Sequence, residues 1–191
     1  METVVIPFRS GGKTRLPIET RVELSLAMLG DVLEAAIACA ARVRLVTDDS
    51  VGARLAAELG IEAVGDPGDG QGAAVAAALA GLEGLCLVVN ADLPCISTAS
   101  LLHLAARSPT FVAAADGTTN ALSLPGPSSF EPLYGPGSAA RFAAAGFHAA
   151  SIPELEQDVD TIADLEQLTL PIGARTALVL NQHKLGLASA P

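Results

Sequence analysis

Between Leu85 and Asn90 five of six residues are apolar, and the run stops abruptly at Asn90-Ala91-Asp92-Leu93-Pro94. Strands covered on both faces, as in parallel sheets, are written this way, without polar alternation. The stop leaves one carboxylate, Asp92, just past the strand's C-terminal end. In open α/β sheets that edge is where ligands bind. Everything else in the chain is therefore read for its ability to reach Asp92.

The segments before it alternate. Thr3–Phe8, Val43–Thr47 and Ile61–Val64 read as strands. A long helix with Val22, Leu26, Leu29, Leu33 and Ile37 at helical spacing lies between the first two, and Thr20 and Glu23 look like its capping box. Ser50 is positioned to cap the next helix, which Gly60 would stop. An Ala-rich helix to about Leu82 precedes the central strand, and Ser97 or Thr98 caps a helix through Arg107. Thr110–Ala115 is again a strand. This rhythm predicts an α/β fold: a Rossmann-like, mostly parallel, doubly wound sheet. The less regular second half predicts a small antiparallel insertion: Thr119–Leu124, a Pro/Gly/Ser loop, a short helix Ser138–Ala145, strand Phe147–Ile152 and helix Ile162–Leu168. Residues 1–180 are expected to form a single domain. About 1–115 would be its nucleotide-binding half and about 116–170 its acceptor-binding half. Within Leu170–Pro191 the stretch Ala177–Leu180 could add a strand, and 181–191 would be a C-terminal tail, mobile in its final residues.

Composition narrows the partners. A net charge of −10 argues against nucleic acid or an anionic membrane, which need a basic surface. No apolar stretch reaches the ~18 residues of a membrane span, and Thr3–Ile6 follows Met1 without a basic leader, so a cytoplasmic protein is expected. Three cysteines without a CxxC pair read as buried thiols. His103, His148 and His183 show no ligand spacing, and no nucleophile elbow is present, which disfavours acyl transfer and zinc hydrolysis.

Four loops carry candidate chemistry. Gly11-Gly12-Lys13-Thr14-Arg15 imitates a P-loop, but Pro7 stands where that motif needs its first glycine, and Pro17 intervenes before the helix. What remains is a glycine loop with Arg9, Lys13 and Arg15, suited to polyphosphate. Gly65–Gly72, including Gly70, Gln71 and Gly72, permits close approach of a flat or charged ligand. Asp158-Val159-Asp160 puts two carboxylates on one side of an extended segment. With Asp92 they could hold Mg²⁺, which takes one or two carboxylates and fills its other positions with phosphate and water. Asp160 or Thr161 could equally cap the last helix. Tyr134-Gly135-Pro136-Gly137-Ser138 opens a helix and could receive an anion, or Ser138 could be an ordinary cap.

Taken in order, Gly12–Leu16, Ala27–Leu33, Leu45–Asp49, Ala91–Pro94, Thr119–Leu122, Tyr134–Ser138 and Asp158–Thr161 resemble the motifs of the 2-phospho-L-lactate / phosphoenolpyruvate guanylyltransferases of coenzyme F-420 biosynthesis. The resemblance runs from residue 1 to about 180. It implies a glycosyltransferase-A-like nucleotidyltransferase fold and Mg²⁺-dependent transfer of GMP from GTP to a small phosphorylated three-carbon acid. By the same resemblance Asp92, Asp158 and Asp160 would hold the metal. Thr119, Gly135 and Ser138 would hold the acceptor, while Lys13 and Arg15 would engage the GTP phosphates. A phosphate monoester has its second pKa near ~6 and is already an anionic nucleophile at neutral pH, so no placed general base is needed. A related transferase for molybdenum cofactor or a sugar phosphate, and a non-catalytic nucleotide-binding module, are the competing expectations. A homodimer stands as an option for assembly.

Overall fold

A computed structural model describes residues 3–9 and 18–183. Seven strands form one sheet in the order β3-β2-β1-β4-β6-β5-β7. They are β1 (Thr3–Pro7), β2 (Arg42–Val46), β3 (Glu62–Val64), β4 (Cys86–Val89), β5 (Thr110–Ala113), β6 (Thr119–Leu124) and β7 (His148–Ala149). β1 pairs in parallel with both β2 and β4, and β2 with β3. β6 runs antiparallel to its neighbours β4 and β5, and β7 is parallel to β5. The mostly parallel, doubly wound prediction holds, with the antiparallel part reduced to one strand inside the same sheet.

Burial on both faces explains the sequence of the central strands. Val4 and Ile6 of β1, with Leu87 and Val89 of β4, pack on one side under helices α1 (Ile18–Ile37) and α4 (Thr98–Ala105). Val5, Cys86 and Val88 point the other way, toward α3 (Gln71–Leu79) and Phe142 of α5 (Ser138–Ala144). Alternate residues thus fill two separate cores, so neither strand has a polar face. Among the described residues no helix is long and apolar enough to cross a membrane. Cys86 and Cys95 are buried and Cys39 half-buried.

Several local expectations need correction. The N-cap of α2 (Ser50–Glu58) is Asp49, whose carboxylate accepts from the Val51 and Gly52 N–H groups, and Ser50 is the first helical residue. A carboxylate one residue earlier reaches two orphan donors, which a hydroxyl at Ser50 does not. Helix α1 already begins at Ile18, so Thr20 lies within its first turn instead of capping it. Of the Phe147–Ile152 strand only His148 and Ala149 pair, because Pro153 opens a helix, α6 (Pro153–Glu156), with Ile152 as its cap. That helix had no periodic signal in so few residues. Helix α7 (Ile162–Gln167) falls close to prediction.

The largest difference is at Ala177–Leu180, which is helical: α8 spans Ala174–Gln182. Four apolar or small residues fit a strand or a helix equally well. The helix forms because its start is capped from elsewhere in the fold. The Asp31 carboxylate accepts from the Arg175 N–H at 3.0 Å and from the Thr176 N–H and hydroxyl at 2.9 and 2.6 Å. Thr176 and Leu180, one turn apart, are then buried. Leu180 joins Leu24, Met28, Val159 and Leu165 in a third small core between α1, α7 and α8.

Candidate active site

The polar edge is assembled where β4 ends. Asn90 and Asp92 follow the strand directly, and with Pro7, Phe8, Arg9, Asp66 and Gln71 they line a cavity of about 290 Å³. This lies beside the junction of β1 and β4, the switch point of the sheet, where α/β folds bind ligands. Arg9 Nε bonds Asp66 Oδ2 at 2.6 Å. That bond from Arg9 holds the Asp66 carboxyl below its ordinary range. The pair ties the end of β1 to the glycine-rich loop.

Asp158 and Asp160 arrive from far along the chain, and the residue between them fixes their placement. Val159 is fully buried in the third core, and its N–H donates to the Asp92 carbonyl oxygen at 3.1 Å. Thr161 caps α7, with Asp164 completing the capping box. Of the two cap candidates, Thr161 holds the position and Asp160 does not. The Asp158 carboxyl is pushed up to about 6, first by burial and then by the neighbouring Asp92 charge. Asp158 and Asp160 line a second cavity of about 390 Å³ with Asp116, Thr161 and Asp164. Among the described residues no three His, Cys, Asp or Glu side chains form a ready-made metal cage.

A third cavity, about 600 Å³, lies between the start of α3 and the loop before α5, lined by Gly70, Gln71, Gly72, Pro132, Tyr134 and Gly135. The loop is shaped from within by Arg141. Its guanidinium donates to the carbonyl oxygens of Leu133, Tyr134 and Pro136 at 3.0, 3.1 and 2.7 Å. Gly135 has φ of +110°, a conformation that L side chains rarely adopt. Thr119 and Ser138 do come together, the Ser138 hydroxyl donating to Thr119 Oγ1 at 3.0 Å, but both are buried. The leading N–H groups of α5 are engaged inside the protein, Ser138 N–H with the Gly135 carbonyl and Ala139 N–H with that of Gly117. Gly11, Gly12, Lys13 and Arg15 lie outside the described residues.

Sequence reading missed how these loops are joined. Gln71 Nε2 donates to Asn90 Oδ1 at 2.7 Å, Asn90 Nδ2 approaches Asn120 Oδ1 at 3.4 Å, and Asn120 Nδ2 donates to Asp158 Oδ1 at 3.2 Å. An Asn ending an apolar strand was the available signal for Asn90. By contrast His183 pairs with Glu23 at an exposed position remote in sequence from these loops.

This strand order, with Asp92 just past β4, defines the class by fold: an α/β protein with a ligand site at the switch point of its sheet. Comparison with known structures supports the fold. A Desulfovibrio desulfuricans protein described as a nucleotide-diphospho-sugar transferase superposes with a TM-score of 0.71 at 17% identity, covering 96% of both chains. The CMP:2-keto-3-deoxy-manno-octonic acid synthetase solved with CTP gives 0.55 at 15% identity, over 95% of this chain and all of that one. Residues 10–162 match the MobA-like NTP transferase domain. Phosphoenolpyruvate guanylyltransferase of Streptomyces coelicolor is 34% identical, covering 93% of this chain and 94% of its own. That of Thermomonospora curvata is 38% identical, covering 82% and 76%. The chain belongs to this NTP transferase family, in the group of the phosphoenolpyruvate guanylyltransferases, and is a nucleotidyltransferase.

Proposed function

We propose that the protein transfers GMP from GTP to the phosphate of phosphoenolpyruvate or 2-phospho-L-lactate in the cytoplasm, as a step of coenzyme F-420 biosynthesis. The observation that carries the reading is the Asp92–Asp158 pair. A half-buried carboxyl raised to about 6, first by burial and then by a neighbouring carboxylate, is costly for a fold to maintain without a ligand. The name of the relatives, phosphoenolpyruvate guanylyltransferase, supports guanylyl transfer to a phosphorylated three-carbon acid.

In this reading an oxygen of the acceptor's phosphate attacks the α-phosphorus of GTP. The new P–O bond forms as the bond to the β-phosphate oxygen breaks, and pyrophosphate leaves with that electron pair. The nucleophile is already an anion at neutral pH, which is why no histidine is needed. Lys13 and Arg15 with the glycines Gly11 and Gly12 hold the triphosphate, and Gly70, Gln71 and Gly72 border the base. Thr119, Gly135 and Ser138 take the acceptor, so that about residues 1–115 handle the nucleotide and about 116–170 the acceptor. Asp92, Asp158 and Asp160 offer hard oxygen donors, Asp92 and Asp160 each push the Asp158 carboxyl up, and a divalent cation such as Mg²⁺ held by one or two of the three would relieve that repulsion. Mg²⁺ accepts one or two carboxylates and completes its shell with phosphate and water. Bound there, it would neutralise the phosphate charge that develops during transfer.

The test is pyrophosphate release with Mg²⁺, each NTP and each acceptor. Release with GTP plus one of the two acceptors, and none with GTP alone, is the expected result. Silence with every pair would overturn the reading. Release only with a sugar phosphate or a molybdenum-cofactor acceptor would reassign the enzyme within its fold.

A further inference from the structure

The amide chain across the site has a polarity, fixed where the acceptor-only Thr119 carbonyl takes the Asn90 NH₂. Asn120 donates its NH₂ to Asp158 Oδ1, which leaves its carbonyl oxygen toward Asn90. Asn90 then faces Asn120 with its own NH₂, and the backbone carbonyl of Thr119 takes a second bond from the same nitrogen at 3.3 Å. The Asn90 oxygen is left facing α3, and Gln71 can meet it only by donating, as it does at 2.7 Å. Backbone geometry holds the middle of the chain in place, since the Asn90 N–H donates to the Asn120 carbonyl at 2.9 Å. Gln71 is therefore an amide whose orientation is set through Asn90 by the Thr119 carbonyl and by the Asn120–Asp158 bond beyond it.

That orientation matters because Gln71 lines both the cavity at Asp92 and the one at Gly135. A primary amide offers one acceptor and one donor edge. A 6-oxo purine presents an acceptor at position 6 and a donor at N1; a 6-amino purine presents the reverse. A glutamine free to rotate by 180° satisfies either and distinguishes neither. A glutamine locked in one orientation matches one pattern and opposes like with like in the other.

We propose that the chain Gln71–Asn90–Asn120–Asp158 locks the Gln71 amide and makes this cavity selective for 6-oxo purine nucleotides, with Gln71 the specificity-determining residue and Asn90 and Asn120 positioning it. The choice of 6-oxo over 6-amino rests on the guanylyl-transfer reading; the lock itself rests on the hydrogen bonds.

Equilibrium binding by titration calorimetry, with GTP, ITP and ATP, tests the lock without requiring turnover. Wild-type protein should bind GTP and ITP at least roughly tenfold tighter than ATP, the worth of about one hydrogen bond set right or wrong. Asn90→Ala releases the amide, so its ATP affinity should rise and the preference should shrink to within about threefold. A gain of ATP binding is not what a damaged fold produces. Gln71→Met keeps the shape but removes both polar groups, and should erase the preference through loss of GTP affinity alone. An unchanged GTP/ATP ratio in Asn90→Ala and Gln71→Met, or a wild type that prefers ATP, overturns the proposal. Pyrophosphate release measured in parallel separates the two readings. Selective 6-oxo binding that the Asn90 variant relaxes, without any transfer, would leave the lock standing and sink the transfer reaction.

Discussion

The Val159 N–H donates to the Asp92 carbonyl oxygen across 3.1 Å, so the backbone of one carboxylate-bearing segment is bonded to the backbone of the other. Val159 itself is buried among Leu24, Met28, Leu165 and Leu180. An apolar residue between two aspartates thus acts as their anchor. It sets Asp158 against Asp92 at a separation that their charges alone would oppose.

Asp158 should show this in the stability of the protein. Its carboxyl is raised from 3.8 to about 6 on folding, so folding favours the protonated form. That contribution is complete below pH ~4 and is lost as pH rises through ~6. Above pH 6 the folded state carries an unfavourable charge, which Asp158→Asn removes while still accepting from Asn120. The full linkage would be ~3 kcal/mol, and partial solvent exposure reduces it to roughly 1–2 kcal/mol. Thermal melts at pH 7.5 should place Asp158→Asn about 2–8 °C above wild type. At pH 4 the two should coincide. The same variant should be catalytically dead, a gain of stability with loss of activity.

The partner substitution makes a separate demand. In Asp92→Asn the second cause of the Asp158 shift disappears while burial remains. The Asp158 carboxyl should then titrate lower than in wild type, though still above an ordinary aspartate. Carbon-detected NMR titration of the side-chain carboxyls reads this directly. Turnover should fall by roughly a hundredfold or more, as when a charge-positioning group is lost from a transfer site, while the melting temperature at pH 7.5 rises by less than in Asp158→Asn, since burial of Asp158 remains. An Asp158 titration indifferent to Asp92→Asn would mean the two carboxylates do not sense each other in solution.

Much of this was legible in the chain, for physical reasons that differ by element. β1 and β4 are buried on both faces and have no polar alternation, so they announce a parallel sheet. Asp92 was visible because a carboxylate ends an apolar run. Asp158 and Asp160 were visible as a pair, but the meaning of Val159 was not, since its core partners come from α1, α7 and α8. Helix α8 was misread because its cap, Asp31, lies 145 residues away from Thr176. The same holds for Asn90, whose role exists only once β4 and β6 are side by side. Long-range partners of this sort leave no periodic trace.

Gly72 tests the packing between the two loops that border the third cavity. A Cβ at Gly72 would come within 2.7 Å of Pro132 Cβ, 3.2 Å of its Cα and 3.3 Å of its carbonyl oxygen. Those last two atoms belong to the backbone and do not swing aside. Gly72→Ala should therefore push the Pro132–Gly135 segment away from α3 and cost about 1–3 kcal/mol by overpacking. Urea denaturation should show a lower midpoint with the same slope. The apparent KM for the acceptor should rise more than kcat falls, because the segment carrying Gly135 moves while the carboxylates stay put.

Asp31 links stability to the site by another route. Its carboxylate accepts three hydrogen bonds from Arg175 and Thr176 at the start of α8. The preceding residue, Gly173, donates its N–H to the Pro94 carbonyl at 2.8 Å, two residues beyond Asp92. In Asp31→Ala the buried Thr176 N–H and hydroxyl lose their acceptor, and bonds to a charged group are worth ~1.5–3 kcal/mol each. With some relaxation the total loss should be about 3 kcal/mol, or roughly 6–12 °C in melting temperature. Asp31→Asn keeps one acceptor oxygen but turns an NH₂ toward the remaining donors, so it should recover no more than part of the loss. Hydrogen exchange should locate the damage. Amides of α8 should lose protection first, followed by those around Pro94, while the centre of β1 stays protected. If α8 exchanges as in wild type while the melting temperature falls, Asp31 is acting on α1 and not as the cap of a distant helix.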